Sequence, residues 1–201
     1  MLNFLIDPWN KSMLSRHEAI TRGGWFGHWA RRGLHVGMIL VPWVYYTYRI
    51  PSIVLWLLLF VVVVVEVIRF IWGIQFFGQR AHEVKRISSF AWGAVSLFLV
   101  LLLTQPMFAY PIVAACALVD PLLGELRRFS LSSWLIALIG ILFIVGLWLL
   151  AWQWCGTPWW WSIIMGPLIV AAEWPNIKWI DDNAMMQLAP LIVVLFVQRI
   201  F

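Results

Sequence analysis

Long stretches of this 201-residue chain carry no charge at all, Ile53–Val65 and Leu135–Leu150 being the clearest. A soluble fold has no place to bury so many consecutive apolar side chains, whereas one helical crossing of a bilayer takes about 20 of them. The composition agrees: 63% of residues are hydrophobic and 11% charged, against about a quarter charged in soluble domains. The expected fold class is therefore all-α, a polytopic transmembrane helical bundle of about seven spans. Their expected ranges are Leu34–Tyr48, Ser52–Phe77, Phe90–Leu103, Met107–Val119, Leu131–Trp154, Trp159–Ala172 and Ala184–Ile200. Residues 34–201 then form a single membrane domain. Residues 1–33 form an arm in which Trp9, Trp25, Phe26 and Trp29 alternate with Lys11, Arg16, Arg22, Arg31 and Arg32, a mixture suited to the headgroup layer. No cleavable signal is expected before the first span, because residues 1–32 include Asp7 and Glu18 and lack a continuous apolar core.

Charge sorts to one side of this arrangement. Segments 1–32, 78–89, 120–130 and 173–183 are each separated by two spans and so share a face. They hold Lys11, Arg16, Arg22, Arg31, Arg32, Arg80, Lys85, Arg86, Arg127, Arg128 and Lys178, with Arg69 near the same end; only Arg49 and Arg199 fall opposite. By the positive-inside rule the N-terminus is cytoplasmic. The same rule accounts for the net charge of +5 without nucleic-acid binding. Cys116 and Cys155 show neither a disulfide framework nor a metal spacing.

The carboxylates are what positive-inside bias does not explain. Glu66 and Arg69 lie three residues apart within a span and can pair; alternatively, Arg69 offers its planar fork to a phosphate. The loop Arg80–Arg86, with Lys85 and Arg86, suits a nucleotide or headgroup contact. Asp120, Glu125, Arg127 and Arg128 either terminate a helix or hold hydrated Mg²⁺ beside phosphates, since Mg²⁺ is held by one or two carboxylates plus phosphate oxygens. Segment 173–183 brings Glu173, Asp181 and Asp182 together with Asn176 and Asn183. One aspartate there serves as an N-cap for the last span, and the surplus suits a metal or a substrate hydroxyl. His35, after Arg31-Arg32, is placed to touch a phosphate. No glycine-rich phosphate loop or nucleophile elbow is present.

At these residues the chain resembles the polyprenol, dolichol and phytol kinase family, which includes CTP-dependent diacylglycerol kinases. The resemblance is carried by Arg31-Arg32-Gly-Leu-His35-Val-Gly37, Glu66-x-x-Arg69, Arg80-x-x-Glu83 leading into Trp92-Gly93, Asp120-Pro-Leu-Leu-Gly124, and Glu173 with Ile180-Asp181-Asp182-Asn183 and Pro190. It implies transfer of a nucleotide γ-phosphate, from CTP, to the hydroxyl of a membrane lipid alcohol, with Mg²⁺ as cofactor. On that reading Asp120, Asp182 and Asn183 are catalytic. Asp120, Glu125, Asp181 and Asp182 hold metal, and Arg69, Lys85, Arg86, Arg127, Arg128 and His35 bind the nucleotide. The site faces the cytoplasm from a bacterial cytoplasmic membrane. The chain departs from the family in having Val119 where it has glycine before the aspartate, and no lysine between Lys85 and Lys178. The alternative is a catalytically inactive homologue that binds lipid, forms a homo-oligomer or joins a membrane complex; sixteen tryptophans suit such packing.

Overall fold

Proline and glycine set several of the helix boundaries. The computed structural model describes residues 22–79, 83, 84, 86–129, 131–174 and 180–200, without the side chains of His28, Arg128 and Ile200. All regular structure among them is helical: α1 (Gly24–Gly37), α2 (Leu40–Thr47), α3 (Ser52–Trp72), α4 (Ser89–Leu103), α5 (Pro106–Arg128), α6 (Ser133–Cys155), α7 (Trp161–Glu173) and α8 (Asp182–Ile200). Pro51 precedes α3, and Gly73 ends it in the left-handed conformation at φ 62°, five residues short of the expected Gly78 connection. Gly156 ends α6 in the same way at φ 75°. Ser88 caps α4, its hydroxyl accepting from the Ala91 amide at 3.1 Å. Most of the expected 1–33 arm lies outside the described residues.

Two expected spans take a different form. Span one is divided between α1 and α2 at Met38-Ile39, and α1 starts within the expected arm at Gly24. Span four does not stop at Val119: α5 runs on through Pro121 to Arg128. Proline removes one helical donor, and in a membrane bundle neighbouring groups satisfy the carbonyl it frees. The case is visible at Pro111, where the freed Met107 carbonyl accepts from Thr157 Oγ1 at 2.5 Å. Asp120 and Glu125 are therefore helical residues and not part of a loop.

Three helices, α3, α5 and α6, are long and apolar enough to cross a membrane; α4 and α7 are apolar but shorter. Their surroundings differ sharply. Only 11% of the most apolar window of α3 is buried, against 56% for α5, so α5 is the central helix and α3 presents nearly all of its surface outward. Helix α3 packs on α4; α5 packs against α1, α2, α4, α6 and α8. Ile112, Val113, Cys116, Val119 and Leu123 of α5 form the core with Val100, Ile144, Ile169 and Met186.

The α6–α7 seam depends on two small residues, as membrane helix packing commonly does. A Cβ on Gly166 would stand 2.9 Å from Val145 Cγ2 and 3.2 Å from the Ile141 carbonyl. A Cβ on Gly140 would stand 2.9 Å from Leu123 Cδ2 and 3.2 Å from Val170 Cγ2. Because a backbone carbonyl cannot move aside, Gly166→Val is expected to destabilise the protein by about 1–3 kcal/mol. Gly93→Ala, where a Cβ meets open space, should be near neutral; thermal unfolding of both variants in detergent checks the contrast.

Candidate functional site

Every ion pair found among the described residues lies at one end of the bundle, where α3, α5 and α7 end and α4, α6 and α8 begin. The deepest is Glu66–Arg69. Arg69 is fully buried; its Nε and Nη2 donate to the two Glu66 oxygens at 3.0 and 2.7 Å. Nη1 reaches the Glu83 carbonyl at 3.3 Å, and Nη2 also donates to the Arg86 carbonyl. Glu66 accepts in turn from the Ser88 amide and hydroxyl at 2.6 and 2.9 Å. The pair therefore clamps the connection between α3 and α4. Of the two readings open to Arg69, the geometry shows the ion pair: four of its five N–H groups are engaged inside the protein.

A second chain of contacts crosses the site. Arg31 of α1 donates to Glu83 Oε1 at 2.8 Å, and the buried Glu83 also meets the Ser89 amide at 3.3 Å and its hydroxyl at 3.2 Å. The same Ser89 hydroxyl touches Asp181 Oδ2. One hydroxyl hydrogen cannot serve two carboxylates at once; a hydrogen-bond donor at position 181 would leave the Ser89 hydroxyl to Glu83. Burial first, and the neighbouring Asp182 second, push the Asp181 pKa up, against the lowering pull of Ser89.

Around the central helix each expected ligand has its own basic neighbour. His35 Nε2 donates to the Cys116 carbonyl at 3.1 Å and stands 3.6 Å from Asp120 Oδ2. Arg32 pairs with Glu125. Arg127 Nη2 lies 2.6 Å from Glu173 Oε1 and forms an ion pair with it. Glu173 Oε2 is buried with no hydrogen-bond partner among the described residues. Asp120 and Glu125, five residues apart on one helix, are separated by about 140° around its axis and meet different residues of α1. Asp181 Oδ1 and Asp182 Oδ1 both accept from the Asn183 amide, at 3.1 and 3.0 Å.

Asp120, Asp181, Asp182 and Asn183 thus gather about Cys116, whose Sγ donates to the Asn183 carbonyl at 3.4 Å and which lies within the electrostatic reach of all three aspartates. Glu173 feels Asp120 and Asp182 in the same way. No three His, Cys, Asp or Glu side chains among the described residues are close enough to enclose a metal ion. Asp120 of α5 and Asp182 of α8 both lie within electrostatic reach of Cys116 and of Glu173, and one or two carboxylates with phosphate oxygens are the usual donors to Mg²⁺. Arg86 is exposed and offers its carbonyl, not its charge, to Arg69; Lys85 and the Arg128 side chain lie outside the described residues. Glu83, named in the sequence only as part of Arg80-x-x-Glu83, joins the site as the partner of Arg31 and Ser89. Ser89 and Gln187 join it without having been expected there, and of these two Gln187 alone had a sequence signal, as an amide within an apolar span.

No family model, curated protein or solved structure matches the chain.

Removing one partner of a buried pair leaves the other charge uncompensated, so Arg69→Ala is expected to cost about 3–5 kcal/mol, read by denaturant unfolding. Asp181 gives a pH test. Its folded pKa is raised, so its contribution is full below the unfolded value of about 3.9 and is lost as pH rises through the folded value. Asp181→Asn supplies the hydrogen-bond donor at every pH. In EDTA the variant should be more stable than wild type at pH 7 and show a flatter stability–pH curve.

Proposed function

We propose that the chain is an integral membrane phosphotransferase that passes the γ-phosphate of a nucleotide, CTP by resemblance, to the hydroxyl of a prenol-type alcohol or a diacylglycerol. It crosses the membrane seven times with its N-terminus and polar end in the cytoplasm, as the distribution of Lys and Arg supports. One observation carries the reading. The segments on which the kinase resemblance rests are far apart in sequence, yet Arg31, Arg32 and His35, the Glu66–Ser89 clamp, Asp120–Arg127, Glu173 and Asp181–Asn183 meet at one end of the bundle.

In phosphoryl transfer the protein mainly positions groups and neutralises charge. Mg²⁺, when bound, would supply charge neutralisation between the phosphates and Asp120 and Asp182. The side chains of this chain do the rest. Arg127 is 47% exposed and so can leave Glu173 for a phosphate oxygen; Arg32 can leave Glu125 in the same way, and the exposed Arg86 adds a further positive charge. The alcohol oxygen attacks the γ-phosphorus, its proton passes to Asp182, and the nucleoside diphosphate leaves. Because Arg32 and Arg127 rest on Glu125 and Glu173, metal and nucleotide are expected to enter as one chelate.

The expected result is that Mg²⁺ with CTP raises the unfolding temperature, while neither alone does so, and that γ-labelled CTP transfers label into a chloroform-soluble phosphate. Asp182→Asn should lower transfer by about 10²-fold or more while the variant stays folded. Absence of both stabilisation and transfer across prenols, phytol and diacylglycerol would refute the proposal. The nearly bare surface of α3 favours a second reading, an accessory subunit of a membrane complex; native purification with a stoichiometric partner and no nucleotide binding would support it.

A further inference from the structure

Gln187 is an amide held where the bundle has no use for one of its two ends. It lies on α8, one turn after Asn183 and about 6 Å further along the axis from the polar end, and it is fully buried. Its Nε2 donates to Ser96 Oγ on α4 at 3.0 Å and to the Asn183 carbonyl at 3.4 Å. Ser96 Oγ directs its own hydrogen at the Trp92 and Gly93 carbonyls, 2.9 and 3.1 Å away. A flipped amide would turn its oxygen toward the Asn183 carbonyl, acceptor against acceptor, and would lose both donated bonds. The side chain also meets Cys116. In this orientation Oε1 is buried without a hydrogen-bond partner among the described residues; Asn183 Oδ1, one turn nearer the polar end, is in the same state.

A buried acceptor without a donor is expensive in a bilayer-embedded protein, and two on successive turns of one helix face define a place that accepts a hydrogen bond from outside the chain. Both are neutral, so they suit a neutral donor; an ammonium group would call for a carboxylate. Their depth, below Asp182 and within the apolar part of the bundle, suits a group carried by a lipid and not the nucleotide. We infer that Gln187, with Asn183, receives the hydroxyl of the lipid alcohol and orients its oxygen toward the Asp120–Asp182 end. Gln187 is a positioning residue, and its assignment rests on the phosphotransferase reading for the identity of the ligand.

The test reads alcohol binding without nucleotide. Full-length protein in detergent is titrated with farnesol and with farnesyl methyl ether, which has the same chain and no donor, and the rise in unfolding temperature gives the half-saturating concentration. Wild type should bind the alcohol about tenfold more tightly than the ether, the usual worth of one buried hydrogen bond. Gln187→Leu should remove that preference and Gln187→Glu, which keeps an acceptor, should retain it. If Gln187→Leu does not fold, Gln187→Met takes its place. Equal binding of alcohol and ether by wild type, no binding of either, or an unchanged preference in the apolar variants overturns the inference. Failure of Mg²⁺ and CTP to bind would instead strike at the phosphotransferase reading, since the alcohol–ether preference is measured without them.

Discussion

The polar end of this bundle is organised by one buried guanidinium. Arg69 enters an apolar helix where it has no water, and it is tolerated because Glu66 and the Glu83 and Arg86 carbonyls take four of its hydrogens. That requirement fixes the connection between α3 and α4. With the connection fixed, Ser88 can cap α4 and Glu83 can face both Arg31 and Ser89. Ser89 then reaches Asp181, which sits at the start of α8. A single desolvation problem at Arg69 thus positions groups on α1, α4 and α8.

The outer layer follows a different logic. Asp120, Glu125 and Glu173 each face a basic residue supplied by α1 or by α5 itself. These pairs are partly exposed on at least one side, so they are weak and exchangeable compared with the clamp. The division of labour separates a permanent inner network from an exchangeable outer one.

Much of this was legible in the sequence, for physical reasons that also mark where legibility ended. Uncharged runs declare helices in a bilayer, and the sorting of Lys and Arg declares a common face. Glu66 and Arg69 were readable as a pair because three residues of helix bring them together. The carbonyls that complete the clamp were not, since any residue of a loop can offer a carbonyl. The apolar run ends at Val119, but α5 continues through Pro121 to Arg128 and carries Asp120 and Glu125 on a helical surface. The contact of Ser89 with Asp181 spans 92 positions and leaves no trace in local spacing.

The central claim is that carboxylates from α5 and α8 form one divalent-cation site that is completed by nucleotide phosphates. Its most direct measurement is the anomalous diffraction of Mn²⁺, used in place of Mg²⁺, in crystals grown with and without CTP. One Mn²⁺ peak within bonding distance of Asp120 and Asp182, present only with CTP, is the predicted result. Ordered CTP without that peak, or Mn²⁺ bound elsewhere in the bundle, would contradict it.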